Sequence, residues 1–154
     1  MKIVKAIAVA LVVITLAVIA LAPIGPLPGF FIGGEPMDAP EQWPDTSDVH
    51  EVKLKVIDQI PRVVIIWVIQ YQSELYVVGS RSSGWVKKLG DGGPVALRIN
   101  DSTYPLTAEL MQTDWQPMML AYIDKYRADY PEIIDGFPPV EEAGDQIAVF
   151  HLVR

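Results

Sequence analysis

The segment Arg62–Gln70 (RVVIIWVIQ) most limits what this chain can fold into. Six of its nine residues are valine or isoleucine, whose β-branched side chains favour extended backbone. An almost unbroken apolar run of this length predicts a central strand that is buried on both faces. Because a central strand needs a partner along each edge, the segment predicts a sheet of several strands.

Shorter apolar or alternating stretches supply the predicted partners of that strand. They lie at Glu51–Ile57, Leu75–Val78, Pro94–Ile99, Thr103–Met111 and Gln146–Val153. Tyr71–Glu74 is a short connection that predicts a hairpin. Asn100 and Asp101 tolerate the left-handed conformations of a tight turn and predict a second hairpin.

Two helices interrupt the strands. Trp85–Leu89 is a short helix-like segment, and a longer helix is predicted to run to about Tyr130. For the longer helix, Thr113–Asp114 provides a candidate N-cap and Pro117 lies in the first turn. The order strand, strand, strand, helix, strand, strand, helix, strand predicts a mainly β (α+β) domain at residues 50–154, built as a small antiparallel barrel.

Composition excludes several classes of function. The chain is 51% hydrophobic and carries a net charge of −7, which excludes a disordered chain and argues against nucleic-acid binding. It has no cysteine, so disulfides, thiolate catalysis and cysteine-based zinc sites are excluded. His50 and His151 are the only histidines and lie at opposite ends of the domain, so we expect structural roles and no metal site.

The N-terminal segment is apolar and predicts a membrane anchor at residues 1–22. Ala6–Ala22 has no charged residue, and its length is close to the about 20 residues that a spanning helix needs. A cleaved signal peptide is the alternative, because Ala20-Leu21-Ala22 resembles a cleavage site. Pro23 directly follows that tripeptide and favours the uncleaved anchor.

The distribution of basic residues predicts the orientation of this anchor. Lys2 and Lys5 precede the apolar run, and no lysine or arginine follows it before Lys53. By the positive-inside rule, the N-terminus is predicted to be cytoplasmic and the C-terminal domain periplasmic or extracellular. The chain is therefore expected to be a single-pass membrane protein.

Residues 23–49 predict an extended, acidic linker. The segment contains six prolines and four glycines, a density that disfavours both helix and central strand. Phe30, Phe31 and Ile32 form an apolar patch within it. This patch is expected either to lie at the membrane surface or to bind a partner subunit.

The turn Gly79–Gly84 (GSRSSG) and the segment after it concentrate the polar groups that suit a phosphate. Three serine hydroxyls and one arginine are followed by Lys87 and Lys88. Hydroxyls, open backbone N–H groups and cations together are typical of phosphate sites. The alternative is a solvated turn in which Ser82 or Ser83 caps the short helix without any ligand.

The order of these segments resembles a known family. The segments that carry the resemblance are Arg62 at the start of the long strand, followed by ELYVVGSRSSGWVKKL, PVALRIN and IAVFHLVR. Their order is similar to the split β-barrel of pyridoxamine-phosphate-oxidase-like flavoproteins, with the deazaflavin-dependent nitroreductases as the nearest branch. The resemblance implies a site for FMN or a deazaflavin, and often a homodimer. The residues it implies at the cofactor phosphate are Arg62, Ser80, Arg81, Ser82, Ser83, Lys87 and Lys88, with Trp85 near the ring or the dimer seam.

Two functions follow from these features. The first is a cofactor-free accessory or binding subunit of a membrane complex, which contacts a partner membrane protein through its anchor and linker. The second is a flavin- or deazaflavin-dependent reductase of a quinone-like or nitro-type small molecule, in which the cofactor carries the hydride chemistry and no catalytic side chain is required. Residues 23–154 carry a net charge of −9, which disfavours an anionic cofactor and therefore favours the first function.

Overall fold

The computed structural model describes residues 2–21 and 23–154. The helices are α1 (Lys2–Leu21), α2 (Gly84–Leu89), α3 (Gln116–Arg127) and α4 (Pro131–Ile134), and a 3₁₀ helix covers Val140–Asp145. The strands are β1 (Glu35–Pro36), β2 (Glu51–Val56), β3 (Arg62–Tyr71), β4 (Glu74–Ser80), β5 (Gly92–Ile99), β6 (Ser102–Leu110) and β7 (Ile147–Val153).

Six of the strands form a closed antiparallel barrel. Neighbouring strands follow the order β6, β5, β2, β3, β4, β7, and a further pairing between β7 and β6 closes the ring. The two-residue strand β1 adds to β6 in parallel. The predicted antiparallel barrel of an α+β fold is therefore confirmed.

Strand β3 has different partners along its two halves. Its first half, Arg62–Trp67, pairs with β2, and its second half, Val68–Tyr71, pairs with β4. The end of β4 continues along β7, so β4 separates from the first half of β3. Helix α2 lies across this gap, with Gly84 against Arg62 and Trp85 against Gly79. The gap positions α2 and creates the candidate site described below.

Two apolar clusters stabilise the domain, one inside the barrel and one outside it. The inner cluster combines inward-facing strand residues such as Leu54 and Phe150 with Trp85 of α2. The outer cluster packs α3 and α4 against β3, β4 and β7, and in it Trp67 stacks on Tyr126 with ring centroids 4.3 Å apart. Strand β3 is buried on both faces at Val63–Val64 and at Val68–Ile69, whereas Ile65–Trp67 between them are half-buried.

The predicted linker, residues 23–49, lies along the barrel, and we call it the arm. Trp43 is only 5% exposed and packs edge-to-face against Tyr104, with ring centroids 5.1 Å apart. Near the start of the arm, Gly29 donates to the carbonyl of Val63 (2.9 Å) and accepts from its N–H (2.8 Å). These contacts fix the arm on the barrel at both ends.

Helix α3 supplies polar partners where the pairing between β2 and β3 ends. The hydroxyl of Tyr126 accepts the N–H of Val68 at 3.1 Å and lies 2.7 Å from its carbonyl oxygen. The ammonium group of Lys125 donates to the carbonyls of Thr46, Val49 and Val68 at 2.8–3.0 Å. One helix thereby satisfies backbone groups of both the barrel and the arm.

The prediction of a single-pass membrane protein is wrong. The N-terminal run does form a helix, α1, over Lys2–Leu21. In residues 2–21 and 23–154, no helix has both the length and the apolarity to cross a membrane. The structure therefore does not support the predicted anchor or its orientation. The periplasmic or extracellular location of the domain rested on that anchor and is not supported either.

The predicted N-cap of α3 is also wrong. The hydroxyl of Thr113 donates to the carboxylate of Asp114 (3.0 Å), and Asp114 has a φ of +59°. The N-cap position falls on Trp115, which has helical backbone angles and makes no capping hydrogen bond through its side chain. Pro117 does lie in the first turn, and α3 ends at Arg127, earlier than the predicted Tyr130.

Candidate functional site

Arg62, the first residue of β3, presents a polar atom without a partner. Its Nε atom is buried and has no hydrogen-bond partner among the described residues. The guanidinium lies against Gly84, where an added Cβ would be 3.0 Å from Arg62 Cζ. The glycine therefore allows the close approach. A buried donor left unpaired costs about 1–3 kcal/mol, so this geometry points to an acceptor that binds there.

Lys88 lies on the same face of α2, one helical turn after Gly84. Its Nζ atom is 2.6 Å from Oδ2 of Asp58, and this hydrogen bond is the main cause that lowers the pKa of Asp58 below its ordinary value. Lys88 is thus partly neutralised. Arg62, in contrast, forms no ion pair within residues 2–21 and 23–154.

A cavity of about 180 Å³ adjoins these two cations, and we call it the Arg62 cavity. Its lining consists of Arg62 and Lys88 together with Pro28, Gly29, Phe30, Ile60 and Pro61. The arm forms one wall, and the hydrogen bonds between Gly29 and Val63 hold that wall in place. The cavity therefore combines two cations with apolar walls.

The serine-rich turn, in contrast, satisfies most of its polar groups internally. The hydroxyls of Ser80 and Ser82 are 2.8 Å apart, and the hydroxyl of Ser83 donates to the carbonyl of Ser80 at 2.7 Å. Arg81 donates from Nε to the carbonyl of Gly144 (2.9 Å). Ser83 occupies the N-cap position of α2 without a side-chain capping bond. These bonds favour the interpretation of this turn as a structural one.

The remaining two predicted site residues point elsewhere. Trp85 is 6% exposed and lies in the inner cluster, with its ring centroid 5.7 Å from that of Phe150. Lys87 is exposed on the outside of α2. Of the eight residues that the resemblance implied, the structure brings Arg62 and Lys88 together at one cavity.

Sequence reasoning missed the arm's part of this site. The apolar patch at Phe30 was visible in the sequence, but it was assigned to a membrane surface or a partner. Gly84 was seen only as the end of a turn, although it is the position that allows Arg62 to approach α2. The available signal for an apolar wall was the pair Ile60-Pro61, which directly precedes Arg62 in the sequence.

The Arg62 cavity fits a phosphate group but does not fit a whole flavin. Arginine recognises phosphate through paired N–H donors, and the unpartnered Nε suits that role. Pockets for drug-sized ligands measure about 300–1,000 Å³. At about 180 Å³ and with the arm as a wall, the cavity lacks room for a three-ring cofactor. The residues of this cavity therefore do not fit a flavin.

A larger cavity of about 450 Å³ lies between the arm and α3. Its cation is Lys125, whose three donors are used by backbone carbonyls. Burial lowers the pKa of Lys125, while Asp45 and Asp48 oppose that effect. This cavity therefore offers no uncommitted positive charge to a ligand, and the Arg62 cavity is the better candidate.

One comparison with a solved structure agrees with the split-barrel fold. HutZ, the heme storage protein from Vibrio cholerae, superposes with a TM-score of 0.50 and 18% identity over 70% of this chain and 83% of its own. A NimC/NimA family protein from Clostridium acetobutylicum gives a TM-score of 0.49 and 18% identity over 66% of this chain and 72% of its own. No protein-family model and no curated protein sequence matches. At this identity the likeness concerns the fold alone.

Proposed function

We propose that this chain is a split-barrel binding protein that holds a small phosphate-like anion in the Arg62 cavity and has an accessory rather than a catalytic role. The observation that carries the proposal is the buried Nε of Arg62, which lacks a partner in the described chain, on a residue that lines the cavity. An anion there accepts from Arg62 and removes the cost of an unpaired donor.

The charge distribution supports a local anion site. Residues 23–154 carry a net charge of −9, so an anion is repelled by most of the surface. Within the cavity lining, Arg62 and Lys88 are the charged residues and both are cationic. Asp58 neutralises part of Lys88, which leaves Arg62 as the main attraction. We expect the site to select small anions that match the paired donors of a guanidinium.

The accessory part of the proposal is supported by α1. Its large apolar side chains from Ile3 to Leu16 are 55–75% exposed. A continuous apolar surface of this kind marks an interaction site. We propose that another protein chain covers α1, so that the barrel is one subunit of a larger assembly.

Phosphate binding to the full chain tests the anion site directly. We expect calorimetry to detect inorganic phosphate, and Arg62→Gln to weaken it by at least about tenfold, since hydrogen bonds to a charged group contribute about 1.5–3 kcal/mol. Lys88→Gln should have a smaller effect because Asp58 shares its charge. Lys87→Gln is the matched control, since Lys87 is exposed on the same helix and should leave binding unchanged. Equal affinities in the parent chain and the Arg62 variant would refute the site.

A flavin- or deazaflavin-dependent reductase is the second candidate, and one observation favours it. The unpartnered Arg62 opens β3, where the resemblance implies the cofactor phosphate. In this case the arm must move to admit the ring. The test is a visible spectrum of the full chain during titration with FMN and with a deazaflavin. Binding of either one that Arg62→Gln abolishes would support the reductase. A colourless protein that binds phosphate alone would support the binding role.

A further inference from the structure

The Arg62 cavity has more apolar wall than an inorganic anion needs. Phe30 and Ile60 line it and remain 47% and 67% exposed, so both side chains are accessible to a ligand from solvent. Pro28 and Pro61 add rigid apolar walls. Sites that bind free inorganic phosphate are built from polar donors, and apolar walls contribute nothing to such a ligand.

We propose, on the basis of the anion site argued above, that the natural ligand is an organic phosphate with a compact apolar body. Its phosphate binds Arg62 and Lys88, and its body rests against Phe30 and Ile60. The arm is then a part of the binding site, because without Pro28–Phe30 the cationic corner has no apolar wall on that side.

The size of the cavity supports this ligand class. A cavity of about 150 Å³ is sufficient for a benzene ring. The Arg62 cavity measures about 180 Å³, which gives room for a phosphate group together with part of a small ring or a short chain beside Phe30 and Ile60. A larger body extends into solvent and gains no further contact with the lining.

The position of Phe30 is fixed by hydrogen bonds on both sides. Before it, Gly29 is paired with Val63 on the edge of β3. After it, Arg98 donates from Nη1 to the carbonyl of Ile32 at 3.0 Å. The backbone on both sides of Phe30 is therefore held beside the cavity before a ligand arrives, which lowers the entropic cost of binding.

Phe31 provides a matched control. It is the next residue, is 65% exposed, and does not line the cavity. Phe30→Ala and Phe31→Ala remove the same side chain from adjacent exposed positions, so both variants are expected to keep the fold. A difference in ligand affinity between the two variants would therefore show that contact within the cavity, and not a general loss of apolar surface, causes the effect.

The experiment compares inorganic phosphate, phenyl phosphate and phenol by calorimetry on the full chain. We expect phenyl phosphate to bind the parent chain at least about tenfold more tightly than inorganic phosphate, and phenol to show no measurable binding. Phe30→Ala should reduce that advantage, measured as the ratio of the two affinities, to about twofold or less. Phe31→Ala should preserve the advantage in full.

The outcomes separate this inference from the proposed function. If phenyl phosphate binds no more tightly than inorganic phosphate, or if the two phenylalanine variants behave alike, the organic-phosphate inference is overturned. In that case, phosphate binding that still depends on Arg62 leaves the anion site intact. If neither phosphate compound binds in an Arg62-dependent way, the anion site and this inference fail together.

Discussion

Replacing Trp85 with alanine is expected to lower the free energy of unfolding by about 3–5 kcal/mol, as is typical for a buried tryptophan. The indole is 6% exposed, lies inside the barrel with Phe150, and fastens α2 across the gap between β3 and β4. Urea denaturation followed by circular dichroism measures the loss. A decrease below about 1 kcal/mol would mean that α2 is not anchored by this side chain.

Gly79 is coupled to Trp85 by close contact, and a double-mutant cycle tests the coupling. A Cβ at Gly79 would overlap the indole and approach Val86 to 2.8 Å. Gly79→Ala alone should therefore cost about 1–3 kcal/mol through overpacking. In the Trp85→Ala background the overlap with the indole disappears and the contact with Val86 remains, so we expect the alanine at 79 to cost at least about 1 kcal/mol less than it does in the parent chain.

Gly144→Ala is the matched control for this cycle. Its added Cβ would lie 3.6 Å from Trp115, which is an ordinary van der Waals contact, so its stability should hardly change. Additive effects of Gly79→Ala and Trp85→Ala would contradict the proposed contact. Because α2 carries Gly84 and Lys88, the two destabilised variants should also bind phosphate more weakly than Gly144→Ala does.

The strands could be predicted from the sequence because their signals are local. The β-branched run of β3 and the alternation in β2 depend on neighbouring residues, and the structure places strands where both patterns lie. The prediction of the α3 N-cap failed because the hydroxyl of Thr113 bonds to the carboxylate of Asp114 and not to the backbone of the helix. The Thr113 hydroxyl has two possible partners nearby, the Asp114 carboxylate and the backbone N–H groups at the start of α3. The sequence alone does not show which of them it bonds.

The site was only partly predictable because it depends on contacts between distant segments. Arg62 and Lys88 were among the predicted residues, yet the wall at Phe30 comes from the arm, which the pairing of Gly29 with Val63 places there. This pairing consists of only two hydrogen bonds, so it leaves no periodic pattern in the sequence from which it could be predicted. The clustered serines favoured a phosphate site in the sequence. Serines that are close in sequence can also hydrogen-bond to one another, as Ser80 and Ser82 do.

Stability is expected to fall at alkaline pH because two buried tyrosines must stay protonated. Burial raises the pKa of Tyr122 and of Tyr126 above the ordinary value of about 10. Well below pH 10 both hydroxyls are protonated in the folded and unfolded states, so stability does not change with pH on their account. Above pH 10 the unfolded chain releases these protons first, and each tyrosine then removes about 1.4 kcal/mol per pH unit.

Urea denaturation between pH 8 and pH 11 measures this effect, and at pH 11 the two tyrosines together should remove roughly 3 kcal/mol. Tyr122→Phe should abolish about half of that alkaline loss. Tyr126→Phe should do the same, but it should also lower stability at pH 8 by about 1–3 kcal/mol, since its hydroxyl bonds the backbone of Val68. An alkaline loss that persists unchanged in both variants would show that other groups cause it. A Tyr126→Phe variant as stable as the parent at pH 8 would mean that water replaces the hydroxyl at Val68, and that apolar packing and the hydrogen bond from Lys125 hold α3 on β3 without it.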